Sequence, residues 1–449
     1  MEKSSSFFKT VCALAVPAAL QSMLQSSFSI IDQIMIGQLG SVSVAGVGLA
    51  GKFASIYSVV VSAVGAVAGI MISQYLGQKN RPAVRQSFYT NLLLSAGIAG
   101  VFTVLCILFP GRIMGFYTRD PAAREAAAAY LMIVSGTFLP MAGATLLSTL
   151  FRCTDRPRIP LYASMASAVL NTGLNYVLIF GKCGLAPLEA QGAAIATVIS
   201  QWVNFLLMLL MTPRRDPILA KPEGSAAAAL DWKQYLSMLL PILVCEVVWS
   251  LGENVYAAIY GHMGTDASAA MTLINPVQGL MIGALCGLSQ AAGVITGRKL
   301  GSAEYEEAYA ASKKLILYGA AGAAALSAAV VLTRAPYVEI YQVEEGVKYL
   351  TRQILLAYAL IAPFKVLNMI LGSGIIRSGG RTKYVMVIDM VGTWCFGVPL
   401  GLASAFVLKL SIPYVYFILS LEECVRFGIS MEVFRRKNWM NQLAAGAAK

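Results

Sequence analysis

The stretch IIDQIMIGQLG (residues 30–40) places Asp32 among isoleucines and a methionine at the end of a long apolar run, which then stops at Gly37 and Gly40. A carboxylate inside a membrane helix is disfavoured by about 2.5 to 3.5 kcal/mol on insertion scales, so it normally faces protein or water and marks a functional position. The chain around it is 57% hydrophobic and 12% charged over 449 residues, with a mean hydropathy of +0.69. A soluble domain carries roughly 25% charged residues, so this composition indicates a membrane protein.

The apolar residues fall into blocks of about 20 or more, as helices crossing a hydrocarbon core of roughly 30 Å require. Twelve blocks are expected, near 11–36, 44–76, 88–110, 125–151, 159–181, 191–212, 234–261, 268–297, 314–333, 347–376, 384–408 and 411–434. The first is too long for a signal-peptide core and lacks a small-residue cleavage pattern, so it is expected to be a retained helix.

Net charge is +12, and its placement decides what it means. Of 34 Lys and Arg, 23 lie in the N-terminal segment, the even-to-odd connections and the C-terminal segment, or at the adjoining helix edges. Eight lie on the opposite side, and Lys52, Lys365 and Arg426 lie inside helices. The bias puts both termini in the cytoplasm. Basic clusters such as RCTDRPR (152–158) and RSGGRTK (377–383) then meet anionic lipid headgroups. No basic stripe interleaved with aromatics remains, which argues against nucleic acid as a partner. Eight scattered cysteines without a CxxC pair, and a single histidine, His262, argue against a zinc site, a haem or a disulfide scaffold, and no cofactor is expected.

The polar segment TPRRDPILAKPEGSAAAALDWK (212–233) divides the chain. The expected organisation is a six-helix lobe at 1–212, a cytoplasmic linker at 213–233, a second lobe at 234–434 and a cytoplasmic tail at 435–449. A shift of 224 sets Pro17 on Pro241, Gly37 on Gly261, Gly40 on Gly264, Gly69 on Gly293 and Leu76-Gly77 on Leu300-Gly301. A shift of 225 sets Arg152 and Arg156 on Arg377 and Arg381. Six helices per unit make this a parallel duplication, which predicts two pseudo-symmetric lobes around a central cavity and transport by alternating access.

Several intramembrane polar residues then become candidates. Burial penalises the charged form of Asp32, so it is expected to take up and release a coupling ion. Gln25 lies seven residues earlier on nearly the same helix face, within reach of the same network. Asn171 and Asn175 share a face of the fifth helix, and Thr197 lies in the sixth. In the second half ILVCEVVWSLGENVY (242–256) carries Glu246 and Glu253 with Trp249 between them, while Lys365 and Asn368 lie in block ten and Asp389 in block eleven. Carboxylates with aromatics suit an amphipathic organic cation through charge and cation-π contact. Glu422, Glu423 and Arg426 have the spacing of a local structural ion pair.

The order of IIDQIMIGQLG, QYLGQKN (74–80), FRCTDRPRIP (151–160), NTGLNYVLIFG (171–181) and QGAAIATVIS (191–200) resembles the MATE (multidrug and toxic compound extrusion) transporters, of the bacterial DinF-like branch. IYGHMGTDASAA (259–270), GRKLGSAE (297–304) and GSGIIRSGGRTKY (372–384) carry the resemblance through the second half. It covers residues 10–440. It implies efflux of small amphipathic, often cationic drugs or metabolites by antiport against protons or sodium, in the inner membrane of a bacterium, by a monomer. The family's coupling aspartate maps onto Asp32, where sodium is the metal implied, and its polar partners map onto Gln25, Asn171 and Thr197. Where some members carry a second acid in the fifth helix, this chain has Asn175, and helix ten offers Lys365 and Asn368 where sodium-type members place an acid. The alternative is a lipid-linked oligosaccharide flippase, whose relatives show a more basic cavity than Lys52 and Lys365 provide. An enzyme is disfavoured, since the chain has no nucleophile elbow, HExxH or phosphate-cradling loop.

Overall fold

The computed structural model describes residues 2–182, 184, 186–212, 231–341 and 343–443. Regular structure among them is helical. In the first half run α1 (Glu2–Ile36), α2 (Ser41–Gly77), α3 (Arg81–Leu108), the short α4 (Pro110–Gly115), α5 (Pro121–Val134), α6 (Phe138–Cys153), α7 (Arg158–Phe180) and α8 (Glu189–Leu210). The second half has α9 (Trp232–His262), α10 (Thr265–Gly301), α11 (Tyr305–Glu339), α12 (Glu345–Asn368), α13 (Thr382–Met390), α14 (Val398–Leu402), α15 (Ile412–Ser420) and α16 (Glu422–Arg435). A π-helical stretch, Met369–Ile376, continues α12, and two more, Val391–Gly397 and Ala403–Val407, flank α14.

Eleven of these stretches are long and apolar enough to span a bilayer. The twelfth expected span, 411–434, is formed by α15 and α16, which meet at Leu421. Of the expected linker, residues 213–230 lie outside the described residues. Its end is already helix: the Asp231 carboxylate caps α9 by accepting from the backbone of Lys233 at 3.0 Å and Gln234 at 3.2 Å.

The duplication is written in the backbone. Gly40 (φ 89°) turns the chain between α1 and α2, and Gly264 (φ 120°), its equivalent at a shift of 224, turns it between α9 and α10. Glycine carries no Cβ and adopts such angles without steric cost. The match extends to positions where residue identity differs. Lys79 (φ 57°) pairs with Ala303 (φ 61°), and Asp155 (φ 61°) with Gly380 (φ 74°), all left-handed.

The contacts sort the chain into two compact units. Among the described residues, one comprises 20–72, 80–182, 184 and 186–212. Its α7 and α8 pack as a pair, α3 and α5 pack on α6 and α8 respectively, and Tyr57, Leu131 and Phe138 lie in its core. The other comprises 2–19, 73–79, 231–341 and 343–443. There α12 packs on α10, α11, α15 and α16, around Ile274, Ile354, Tyr358 and Val415. Its membership explains the repeated Leu-Gly pair: a Cβ on Gly77 would strike the Arg298 carbonyl, and one on Gly301 the Gln74 carbonyl. Only two glycines let these backbones meet. The segment after α16 closes over the same place. Trp439 is fully buried, Gln74 donates to the carbonyls of Ser378 (2.7 Å) and Asn441 (3.1 Å), and its Oε1 accepts from the Leu443 amide (2.7 Å).

Candidate functional site

Asp32 sits one turn from the end of α1, half-buried. Its carboxylate accepts a hydrogen bond from Asn175 Nδ2 on α7, and Asn175 is fully buried. The same amide donates to Asn171 Oδ1, one turn back, at 3.2 Å. Asn171 Nδ2 donates to the Ser200 hydroxyl on α8 at 3.2 Å, and Ser200 Oγ in turn donates to the carbonyls of Ala196 (2.8 Å) and Thr197 (3.0 Å). The result is a polar chain from α1 through α7 to α8 inside one unit. Asn175 Oδ1, the other end of that amide, is buried without a partner, and a buried unsatisfied oxygen costs about 1–3 kcal/mol.

Two expected members stand apart from this chain. Gln25 is exposed and shares no hydrogen bond with Asp32. Seven residues along α1 return to the same face but roughly 10.5 Å away, too far for the two side chains to meet directly. Thr197 turns its hydroxyl to its own helix, donating to the Ala193 carbonyl at 2.8 Å. Ser200 takes the place expected for it. Sequence reasoning missed Ser200, whose one signal is its three-residue spacing from Thr197 within QGAAIATVIS.

In the other unit the candidates divide between two cavities, each of about 300 Å³. Glu246, Trp249, Asn368 and Asp389 line one, with Arg377 and Arg426. Glu253 lines the other, with Tyr256, Tyr358, Tyr416 and Glu422. Lys365 and Glu423 line both. Thus Glu246 and Glu253, again seven residues apart on one helix, serve different spaces.

Arg426 organises the first cavity. Its guanidinium pairs with Asp389 Oδ1 at 2.9 Å and with Glu423 Oε1 at 3.6 Å. Asn368 Nδ2 donates to the Glu423 carboxylate at 2.8 Å, and Cys245 Sγ donates to Asp389 Oδ2 at 2.7 Å. Arg377 faces Glu246 across a looser 3.8 Å. Glu422, placed four residues before Arg426, does not pair with it. Its Oε2 accepts instead from the Tyr256 hydroxyl at 2.5 Å. Helical spacing found Glu423–Arg426, while Tyr256, Arg377 and Arg426's link to Asp389 are tertiary contacts that no local pattern announces.

The MatE family model matches residues 17–177 and again 241–403, so each half matches it separately. Among curated proteins the chain is similar to a probable multidrug resistance protein NorM of Thermotoga maritima, 23% identical over 88% of this chain and 84% of that protein. It is also 22% identical to multidrug resistance protein MdtK of Edwardsiella ictaluri, over 97% and 98% of the two chains. Among solved structures, a MATE protein crystallised with MaL6 superposes with a TM-score of 0.86 at 16% identity, covering 96% of both chains. A MOP superfamily transporter from Pyrococcus furiosus, described as having a binding pocket of reversed polarity, gives a TM-score of 0.84 at 18% identity over 96% and 95%. These structural likenesses show the fold.

Proposed function

The chain belongs to the MatE family of multi-pass membrane transporters, and on that premise we propose that it is a secondary antiporter. It expels small amphipathic, often cationic organic compounds by alternating access, in exchange for protons or sodium. We place it in the inner membrane of a bacterium with both termini in the cytoplasm, and in the DinF-like branch on its motif order.

The observation that carries this reading is the carboxylate of Asp32, held near the end of an apolar helix by a buried amide. A monovalent cation or proton neutralises that carboxylate. Ion uptake therefore changes the charge and hydrogen bonding between α1 and α7. Coupling requires that ion and solute prefer different states of the protein or compete for one group. Asp32, Asn171, Asn175 and Ser200 form the ion-coupling set. Glu246, Trp249, Glu253, Lys365, Asn368 and Asp389, in the two cavities of the other unit, contact the solute.

Proteoliposomes loaded with a fluorescent organic cation test this. An imposed proton or sodium gradient is expected to drive its movement against its own gradient. Flux that ignores both gradients would overturn antiport.

A further inference from the structure

The seam between α12 and α15 carries a groove of about 380 Å³ that the transport mechanism leaves unused. Tyr349, Gln353, Leu356 and Leu360 line it from α12, and Tyr414 and Phe417 from α15. The α12 residues recur at three- and four-residue intervals, so they form one stripe along the helix. Its polarity is graded. Tyr349, Gln353, Ser411 and Tyr414 offer hydroxyls and an amide toward the starts of the two helices, whereas Leu356, Ala357, Leu360 and Phe417 beyond them are hydrocarbon. The mouth lies at a water boundary. Beside it Lys348 pairs with Glu345 at 3.0 Å and Glu339 at 3.3 Å, and Arg352 pairs with Glu339. Such a charge cluster belongs outside hydrocarbon. Tyr349 and Tyr414, 60% and 64% exposed, are the amphipathic rings that sit at headgroup level.

From Tyr349 to Leu360 the groove follows about 16 Å of helix, close to one leaflet of a hydrocarbon core roughly 30 Å thick. Leu360, at its deep end, is 58% exposed, so the slot opens sideways into the bilayer. Water there would need about two to four polar partners, and the hydrocarbon half supplies none. We propose that the groove holds one acyl chain of a glycerophospholipid, with its ester and headgroup at the tyrosine mouth and its chain along Leu356, Ala357 and Leu360. With both termini in the cytoplasm, as proposed above, α12 and α15 begin on the outer side, and the lipid belongs to the outer leaflet. The same two helices line the cavity of Glu253 through Tyr358 and Tyr416. The chain therefore fills the outer face of a wall whose inner face meets that cavity.

Photolabelling tests this. Proteoliposomes of the full chain are made with phosphatidylethanolamine carrying a diazirine midway along one acyl chain, irradiated and digested, and the labelled peptides are mapped by mass spectrometry. The lipid-facing surface of α11 around Leu317 and Leu332, 65% and 80% exposed, serves as the reference. Peptides holding residues 349–360 and 413–417 are expected to take at least about fivefold more label than that reference. Ala357→Phe, which fills the floor, is expected to bring the groove down to the α11 level, while Leu317→Phe leaves it unchanged. Equal labelling of groove and α11 in the parent would overturn the proposal, since the lipid there would be no different from the rest of the surrounding bilayer. Displacement of the groove label by an amphipathic organic cation, with α11 labelling unchanged, would also overturn it and assign the slot to solute. The parent comparison decides even if a variant fails to fold. No gradient enters the measurement, so absence of the lipid site and absence of gradient-driven flux are separate outcomes.

Discussion

Replacing Arg426 with Met keeps the length and apolar stem of the side chain and removes its charge. The native guanidinium lies 2.9 Å from Asp389 Oδ1 and 3.6 Å from Glu423 Oε1. At an effective dielectric of 20 those contacts correspond to about 6 and about 5 kcal/mol of attraction. Desolvation of three ions offsets most of that sum, and breaking a buried pair from one side typically costs about 3–5 kcal/mol because the partner is left uncompensated. Two carboxylates are stranded here, so the upper part of that range is expected. The stem itself fits a space that Gly392 keeps open, since a Cβ there would strike Arg426. Thermal unfolding of purified protein is the assay. Arg426→Met alone should lower the midpoint strongly, and adding Asp389→Asn and Glu423→Gln should restore most of it, because no unpaired charge then remains. A single variant as stable as the parent, or a triple variant no better than the single, would refute the view that this arginine frames the cavity by charge.

Gly301→Ala pushes a methyl into the Gln74 carbonyl and is expected to destabilise by about 1–3 kcal/mol, whereas Gly48→Ala, with open space around it, should be neutral or stabilising by up to about 1 kcal/mol; thermal unfolding of the pair checks the close approach. Trp439→Ala removes a fully buried side chain stacked at 5.8 Å on Phe434, a loss of about 3–5 kcal/mol, and should expose the segment after α16 to limited proteolysis. Asn175→Leu should reduce gradient-driven efflux at least about tenfold, on the order of the 1.4 kcal/mol that one lost hydrogen bond to a charge supplies. Thr197→Val should transport at the parent rate in the same assay, since its hydroxyl serves only its own helix.

The fold was legible because membrane helices must be long, apolar and flanked by charge, and each of those requirements leaves a mark in one dimension. The repeat was legible for a similar reason: Gly40 and Gly264 hold backbone angles open to few other residues, so both copies kept glycine. Its extension to Lys79 and Ala303 was hidden, because a left-handed angle can persist after the residue type changes. In the site, Asp32 stood out by its desolvation cost, and Asn171 with Asn175 by their spacing. Partner choice was a different matter. Shared helical face was a good guide at four residues, as Asn171 and Asn175 show, and a poor one at seven, where Gln25 and Asp32, or Glu246 and Glu253, share a face but lie two turns apart. Contacts such as Asp32 with Asn175, Glu422 with Tyr256 and Arg426 with Asp389 depend on how helices pack, and helix packing is set by the whole apolar surface.

The most direct test of the central claim compares the parent with Asp32→Asn in proteoliposomes, measuring both gradient-driven accumulation of an organic cation and its equilibrium exchange without a gradient. Loss of accumulation under proton and sodium gradients, with exchange retained, is the predicted result. Accumulation at the parent rate in Asp32→Asn would contradict it and remove the carboxylate from the coupling mechanism.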